Sequence, residues 1–255
     1  MTNTDDASLD DVIDAARLRY GQRALFRGRG MRSPAVPVLP TGFGEVDDLL
    51  GIGGLPQGRI TELVGTGTSG RGTLVARTLA LAQRAGRQAV YVDLAHAIDL
   101  DMLARAGVSF DGLVILRPLG FGHALEMIRD LLTEGSAGVI VLDRLDGRSE
   151  GPERPDPDLL DRALREWNTL LSRSLCALIV LTEVLSPHTY PSDYTLPYFA
   201  SVRLDLAWQG WLAPAGPPAA RDPLTGFTAR VTVLKNKLWS SEGRSLVVRV
   251  PVLEG

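Results

Sequence analysis

Arg59-Ile60-Thr61-Glu62-Leu63-Val64, followed by Gly65-Thr66-Gly67-Thr68-Ser69-Gly70-Arg71-Gly72-Thr73, decides the fold of this chain. A mostly apolar run of strand length empties into a glycine-rich turn just ahead of a helical pattern, Leu74 to Arg84. The turn is nearly a phosphate-binding loop. Such loops read Gly, four residues, Gly, Lys, then Ser or Thr; Gly65 and Gly70 keep the spacing, while Arg71 and Gly72 stand in the last two places. Backbone N–H groups and a helix beginning near Arg71 would cradle an anion there. Taken on its residues alone, the loop is equally an ordinary strand-to-helix turn.

Outward from the loop, short Val- and Ile-rich runs alternate with helical patterns. Strands are expected at Gln88 to Asp93, Val114 to Arg117, Val139 to Asp143 and Ala177 to Thr182. Helices are expected at Leu100 to Ala106, His123 to Thr133 and Leu159 to Ser172. That order means an α/β fold with a mostly parallel sheet and helices on both faces. Three further strands, Val202 to Trp208, Thr228 to Leu234 and Ser245 to Val250, have no helices between them and should extend the sheet in antiparallel fashion. Ahead of the loop, Leu9, Val12, Ile13, Ala16 and Tyr20 fit one amphipathic helix, and Ser33 to Pro40 reads as a proline-punctuated linker.

With 255 residues the chain is long enough for a full core. Its net charge of -3 advertises no nucleic-acid or anionic-membrane partner globally, so any such partner must be met locally. The six arginines between Arg17 and Arg32, with no acid among them, are either a solvated face or a docking arm. Cys176 is the one cysteine and allows no internal disulfide, which together with an acidic start and no long apolar run points to a soluble cytoplasmic protein without a membrane partner. His96, His123 and His188 have no ligand spacing, so no metal is expected beyond a Mg²⁺ carried by a nucleotide.

The stretch Leu39-Pro40-Thr41-Gly42-Phe43, the run Gly53-Gly54-Leu55-Pro56-Gln57-Gly58-Arg59-Ile60 and the loop resemble the core of the RecA family of recombinases. The similarity continues through Asp93-Leu94-Ala95-His96-Ala97, Phe199-Ala200-Ser201-Val202-Arg203-Leu204-Asp205 and Val233-Leu234-Lys235-Asn236-Lys237. It implies a RecA-like P-loop core over residues 39–255, a helix and linker over 1–38 serving as an oligomerisation or docking arm, and no separate C-terminal domain of the family.

The resemblance also implies which residues would hold ATP with Mg²⁺: Gly65, Gly67, Ser69, Gly70, Arg71, Gly72 and Thr73 in the loop, and Asp143 as the Walker B acid. On its own Asp143 is equally an acid capping a strand end. Arg71 is cationic but a poor isostere of lysine in a tight loop. Gly72 has no hydroxyl for a metal, and Thr73, one residue on, is turned away by about 100°. Where the family carries a glutamate that activates water, this chain has Ala95; where it carries a γ-phosphate-sensing pair, this chain has Thr182 and Glu183, whose carboxylate would repel phosphate. Four losses point the same way, to a degenerate site with no catalytic residue, no required cofactor and no significant ATP hydrolysis.

In the resembled family two loops hold single-stranded DNA. Their counterparts, Arg144 to Pro157 and Val184 to Pro197, carry three arginines against four acids and no Lys or Arg against one acid, so direct DNA binding should be weak or indirect. Tyr190 and Tyr194 could stack on bases, but without cations beside them a structural role is favoured. Lys235 and Lys237 match lysines that reach across the subunit interface to a neighbour's nucleotide. The expectation is therefore a non-hydrolysing accessory of DNA repair that docks on a RecA-type recombinase filament or a translesion polymerase assembly, with a homo-oligomer also open. The ImuA-type accessory proteins of damage-induced mutagenesis share this combination. The alternative is a DNA-dependent ATPase of homologous recombination that uses Arg71 in an unorthodox way.

Overall fold

The computed structural model describes residues 9–21, 36–146, 155–184, 190–191, 193–212 and 225–251. Two compact units divide the chain, Met1–Val36 and Pro37–Gly255. In the first, helix α1 (Leu9–Tyr20) forms where the apolar spacing predicts it, and its Val12, Leu18 and Tyr20 are exposed. Arg17 pairs with Asp14 one turn back at 3.4 Å. The rest of the arginine-rich stretch, from 22 onward, lies outside the described residues.

The second unit begins with β1 (Val38–Leu39), α2 (Gly44–Leu50) and β2 (Leu55–Pro56), with β1 and β2 paired antiparallel. This corrects the expectation of a linker running to Pro40, because Val38 and Leu39 already form a strand. Helix α2 went unread for a simple reason. Its seven residues bury Val46, Leu49 and Leu50, a pattern too short to register as periodicity. Asp47 anchors the turn before it by accepting the Thr41 N–H at 3.0 Å.

The main sheet follows as β3 (Ile60–Gly65), α3 (Arg71–Arg84), β4 (Ala89–Asp93), α4 (Leu100–Arg105), β5 (Leu113–Leu116), α5 (Phe121–Glu134), β6 (Val139–Asp146), α6 (Pro157–Leu171), β7 (Ala177–Glu183), α7 (Leu196–Phe199), β8 (Val202–Leu212), β9 (Gly226–Asn236) and β10 (Ser245–Pro251). Its strand order is β10-β9-β8-β3-β7-β6-β4-β5. Six strands from β5 to β8 run parallel, and β9 and β10 are each antiparallel to the neighbour before them. The expectation of three antiparallel terminal strands is thus corrected at β8, which enters through α7 and runs parallel to β3.

Helices cover the sheet on both faces. On one, Leu74, Val75 and Leu79 of α3 meet Leu63, Val141 and Ile179. On the other, Ile128 of α5 and Leu160, Leu164 and Trp167 of α6 meet Ile140, Leu142 and Leu178. Burial from both sides explains why β3, β4 and β7 are buried along their whole length instead of alternating. Residue Asp156 starts α6 by accepting the N–H groups of Asp158 and Leu159, with Pro157 in the first turn. No described helix is long and apolar enough to cross a membrane.

Strand register fixes the ends that matter for function. Gly65 lies opposite Glu183 on one side and Leu206 on the other, and Asp93 lies opposite Asp143. Leu206 pairs with Val231, and Lys235 is four residues further along β9 toward the opposite end of the sheet, about 13 Å at 3.3 Å per residue.

Candidate functional site

The loop after β3 has the backbone a phosphate-binding turn needs, with Gly67 and Gly70 at φ values of 45° and 92°, left-handed conformations that favour glycine. Helix α3 begins at Arg71 with no side chain capping it. What fills the loop is the chain itself. The Arg71 side chain turns inward and is only 7% exposed. Its Nε donates to Ser69 Oγ at 3.1 Å, and its two terminal nitrogens donate to the carbonyls of Thr182 at 2.6 Å and Gly67 at 3.3 Å. A Cβ at Gly65 would lie 2.6 Å from Ser69 Oγ and 3.1 Å from Arg71 Nε, so the bare glycine leaves room for this arrangement.

Glu183 completes the cluster. Its Oε2 is 3.7 Å from Arg71 and 2.8 Å from Arg144. The β6–β7 register shifts between Asp143 and Leu145, making Arg144 a bulged residue whose side chain is aimed at Glu183. Burial pulls the Arg71 pKa down, while Glu183 and Asp143 hold it up. Burial raises Asp205, against the pull of Arg71. Arg71 and Arg144 therefore both meet Glu183, while Asp143 and Asp205 act on Arg71 through charge alone. A phosphate charge brought to about 4 Å from Glu183 would meet roughly 4 kcal/mol of repulsion at an effective dielectric of about 20. The sequence pattern set Glu183 down as a repelling charge; the structure adds that it is paired.

The metal side of the site is closed in the same manner. A Cβ on Gly72 would come within 3.1 Å of Met102 Cε and 3.3 Å of its Sδ, so the space for a hydroxyl side chain is taken by a thioether from α4. Asp143, at the carboxyl end of the stretch of β6 that pairs with β4, accepts from Tyr91 Oη at 2.5 Å. Burial raises its pKa, opposed by that hydroxyl and by Arg144, and burial beside Asp143 likewise raises Tyr91. Its neighbour Asp93, fully buried, accepts from Ala97 N–H at 2.8 Å and Arg117 Nε at 3.2 Å. The Ala95 side chain is a methyl group with no proton-accepting atom, and its N–H points back to the Asp143 carbonyl at 3.3 Å. A cleft of about 220 Å³ remains, bordered by Thr68, Thr73, Asp99, Met102, Arg144 and Phe227, and a second of about 310 Å³ adjoins it along Thr73, Asp99, Met102 and Phe227. Arg71, Gly72 and Glu183 do not fit ATP with Mg²⁺ as they stand. Among the described residues no cluster of three His, Cys, Asp or Glu could hold a metal ion.

Beneath the loop lies a second buried ion cluster. Glu62, fully buried on β3, accepts from Thr182 Oγ1 and Tyr190 Oη, both at 2.7 Å, and from Arg203 Nε. Arg203 also sits 4.9 Å over the Tyr190 ring, and Tyr190 meets the buried Tyr194 edge-on. Both tyrosines pack against the core, and the premise that no cation stands beside them is corrected at Tyr190, where Arg203 comes from β8, outside the loop itself. Of the two loop segments weighed for DNA binding, residues 147–154 of the first and 185–189 and 192 of the second lie outside the described residues.

At the far end of the sheet, Lys235 Nζ donates to the carbonyls of Pro197 and Tyr198, the second at 3.0 Å, and Lys237 Nζ donates to Tyr198 at 2.7 Å. Burial and the positive charge of Lys237 lower the Lys235 pKa to about 8. Lys237 lies 5.4 Å over the ring of Tyr198, itself 72% exposed. Both lysines are partly solvent-facing, and strand geometry keeps them away from the chain's own loop.

The sequence pattern missed Tyr91, Met102 and Arg144. Met102 and Tyr91 fall inside an expected helix and strand with nothing in their own segments to set them apart, and Arg144 acts through a bulge that belongs to two strands at once. Among known proteins, the RecA N-terminal domain family matches residues 7–245. Protein RecA of Thermus thermophilus is 33% identical over 249 residues, spanning 91% of this chain and 72% of that protein. Protein RecA of Aquifex pyrophilus is 30% identical over 249 residues, spanning 91% and 70%. The crystal structure of the RadB recombinase is similar in fold, with a TM-score of 0.63 at 21% identity over 83% of this chain and 96% of that one.

Proposed function

The chain belongs to the RecA family and is recombinase-like in its core, and from that membership we propose a non-hydrolysing accessory protein of DNA repair. It acts by docking on a RecA-type recombinase filament or a translesion polymerase assembly, with Lys235 and Lys237 presented in trans to the partner's nucleotide. One observation carries this reading. Arg71, the cation of the loop, spends its donors on Ser69, Thr182 and Gly67 of its own chain and faces Glu183. The place of the two lysines at the other end of the sheet supports a role toward a neighbour, since they are too far to serve this loop.

The test uses the purified chain and a RecA-type recombinase on single-stranded DNA with ATP and Mg²⁺. Alone, the chain is expected to turn over no ATP; added to the recombinase, it should change the partner's ATP turnover, and Lys235→Ala with Lys237→Ala should abolish that change. Recombinase-like turnover by the chain alone, or a double variant that behaves like wild type, would overturn the proposal. The first of those outcomes would favour the ATPase alternative.

A further inference from the structure

The register that sets Glu183 opposite Gly65, and the bulge that turns Arg144 toward it, place one carboxylate between two guanidiniums at the mouth of the loop. A phosphate entering this loop would need the same two cations. We propose that Glu183 is an internal stand-in for phosphate: it keeps Arg71 folded against Gly67, Ser69 and Thr182 and so holds the loop shut, and removing its charge converts the loop into a polyphosphate site. The inference rests on the non-hydrolysing reading of the loop and names what keeps it closed.

Three features argue for a lock rather than a chance contact. Arg71 is almost wholly buried, so its charge must be answered from within the protein. Glu183 touches both guanidiniums, whereas Asp143 is engaged by Tyr91 and Asp205 acts on Arg71 only at longer range. With Glu183 replaced by a neutral side chain, Arg71 and Arg144 lose the carboxylate that touches both, and the loop's glycine backbone is still in place. Among the described residues, Glu183 alone combines contact with both cations and a position level with the loop's first glycine.

The experiment compares wild type with Glu183→Gln, which keeps the shape of the side chain and removes its charge. Each is titrated with inorganic pyrophosphate, with and without Mg²⁺, against sodium sulfate at equal ionic strength, by calorimetry and by thermal melts. Pyrophosphate is expected to bind Glu183→Gln at least tenfold more tightly than wild type and to raise its melting midpoint by about 4 °C or more. A Glu183→Gln chain whose midpoint pyrophosphate leaves where sulfate leaves it, including one that fails to refold in its presence, overturns the lock and leaves the non-hydrolysing reading standing. Arg71→Lys is the second variant, since a lone ammonium cannot span the same acceptors. An equal gain there, with Glu183 intact, would put the block in the guanidinium and also overturn the lock. Pyrophosphate bound equally tightly by wild type and Glu183→Gln would overturn the lock and the reading of the loop together.

Discussion

The two ends of the sheet have kept different things. At the carboxyl ends of the parallel strands, the site residues are met by internal partners: Arg71 by Thr182, Gly67 and Glu183, the gap at Gly72 by Met102, and the carboxylate of Asp143 by Tyr91. At the other end Lys235 and Lys237 rest on the carbonyls of a four-residue helix, with solvent beside them. The first arrangement is self-sufficient, and the fold depends on it. The second contributes little to stability, because partly exposed cations at a helix C-terminus are worth about 1 kcal/mol or less. A solvent-facing feature that contributes little to stability is open to a partner, and by that criterion interest moves from the glycine-rich loop to the lysines.

The largest expected effect tests that asymmetry directly. Arg71→Ala removes the donors to Ser69, Thr182 and Gly67 and strips Glu183 of one cation in a nearly water-free site. Breaking a buried pair in this way costs about 3–5 kcal/mol. Lys235→Ala with Lys237→Ala should cost about 1 kcal/mol or less. Urea denaturation of the three proteins reads both values from the shift in midpoint at constant slope. Equal losses at the two ends would break the comparison.

Much of this was legible in the sequence. The apolar runs and helical patterns gave the layers, and the glycine spacing around Gly65 and Gly70 put the loop at the strand-to-helix turn where it lies. Direction was not legible at Val202 to Leu212, because a strand's residue pattern is the same whether its neighbour is parallel or antiparallel. Arg144 was invisible for a related reason, since a bulge exists only in the register between β6 and β7. Met102 reads as one more apolar residue of a short helix, and nothing in its own segment says that it will reach Gly72 across two helices. Arg71 and Glu183 were each identified as departures, 112 positions apart, and read separately as a weakened ligand and a repelling charge. That the two offset each other is a fact of strand pairing.

A smaller effect is expected at Gly72, where the comparison is sharpened by trying to restore what is missing. Gly72→Ser adds a side chain within 3.1 Å of the flexible end of Met102. Replacing a helical glycine gains about 0.5–1 kcal/mol, and displacing the thioether offsets part of it, so stability should stay within about 1 kcal/mol of wild type. Calorimetry with Mg²⁺ and pyrophosphate should still show no binding, because the charge at Glu183 is untouched. If Gly72→Ser alone brought Mg²⁺-dependent binding, the missing hydroxyl and not the ion cluster would be what closes this end.

The smallest effect is a pH dependence at the other end. Lys235 has its pKa lowered to about 8 by burial and by Lys237, against about 10.4 in an unfolded chain. Below pH 8 both states carry the proton and the penalty for holding a crowded cation is present in full. Between pH 8 and about 10.4 the unfolded chain binds more protons than the folded one, so this residue makes stability rise with pH across that window. Because Lys235 is partly exposed, solvent screening keeps the amplitude below about 1 kcal/mol. Tyr91 and Tyr190, whose pKa values burial raises, pull stability the other way once unfolded tyrosines ionise near pH 10, but they do so equally in a Lys235→Met variant. The informative quantity is therefore the difference in urea midpoint between wild type and Lys235→Met, which should be flat below about pH 7 and move in favour of wild type from pH 8 to 10. A difference that stays flat to pH 10 would mean that the Pro197 and Tyr198 carbonyls fully satisfy the ammonium. The lysine end would then be as internally completed as the loop, and the contrast between the two ends would lose its physical basis.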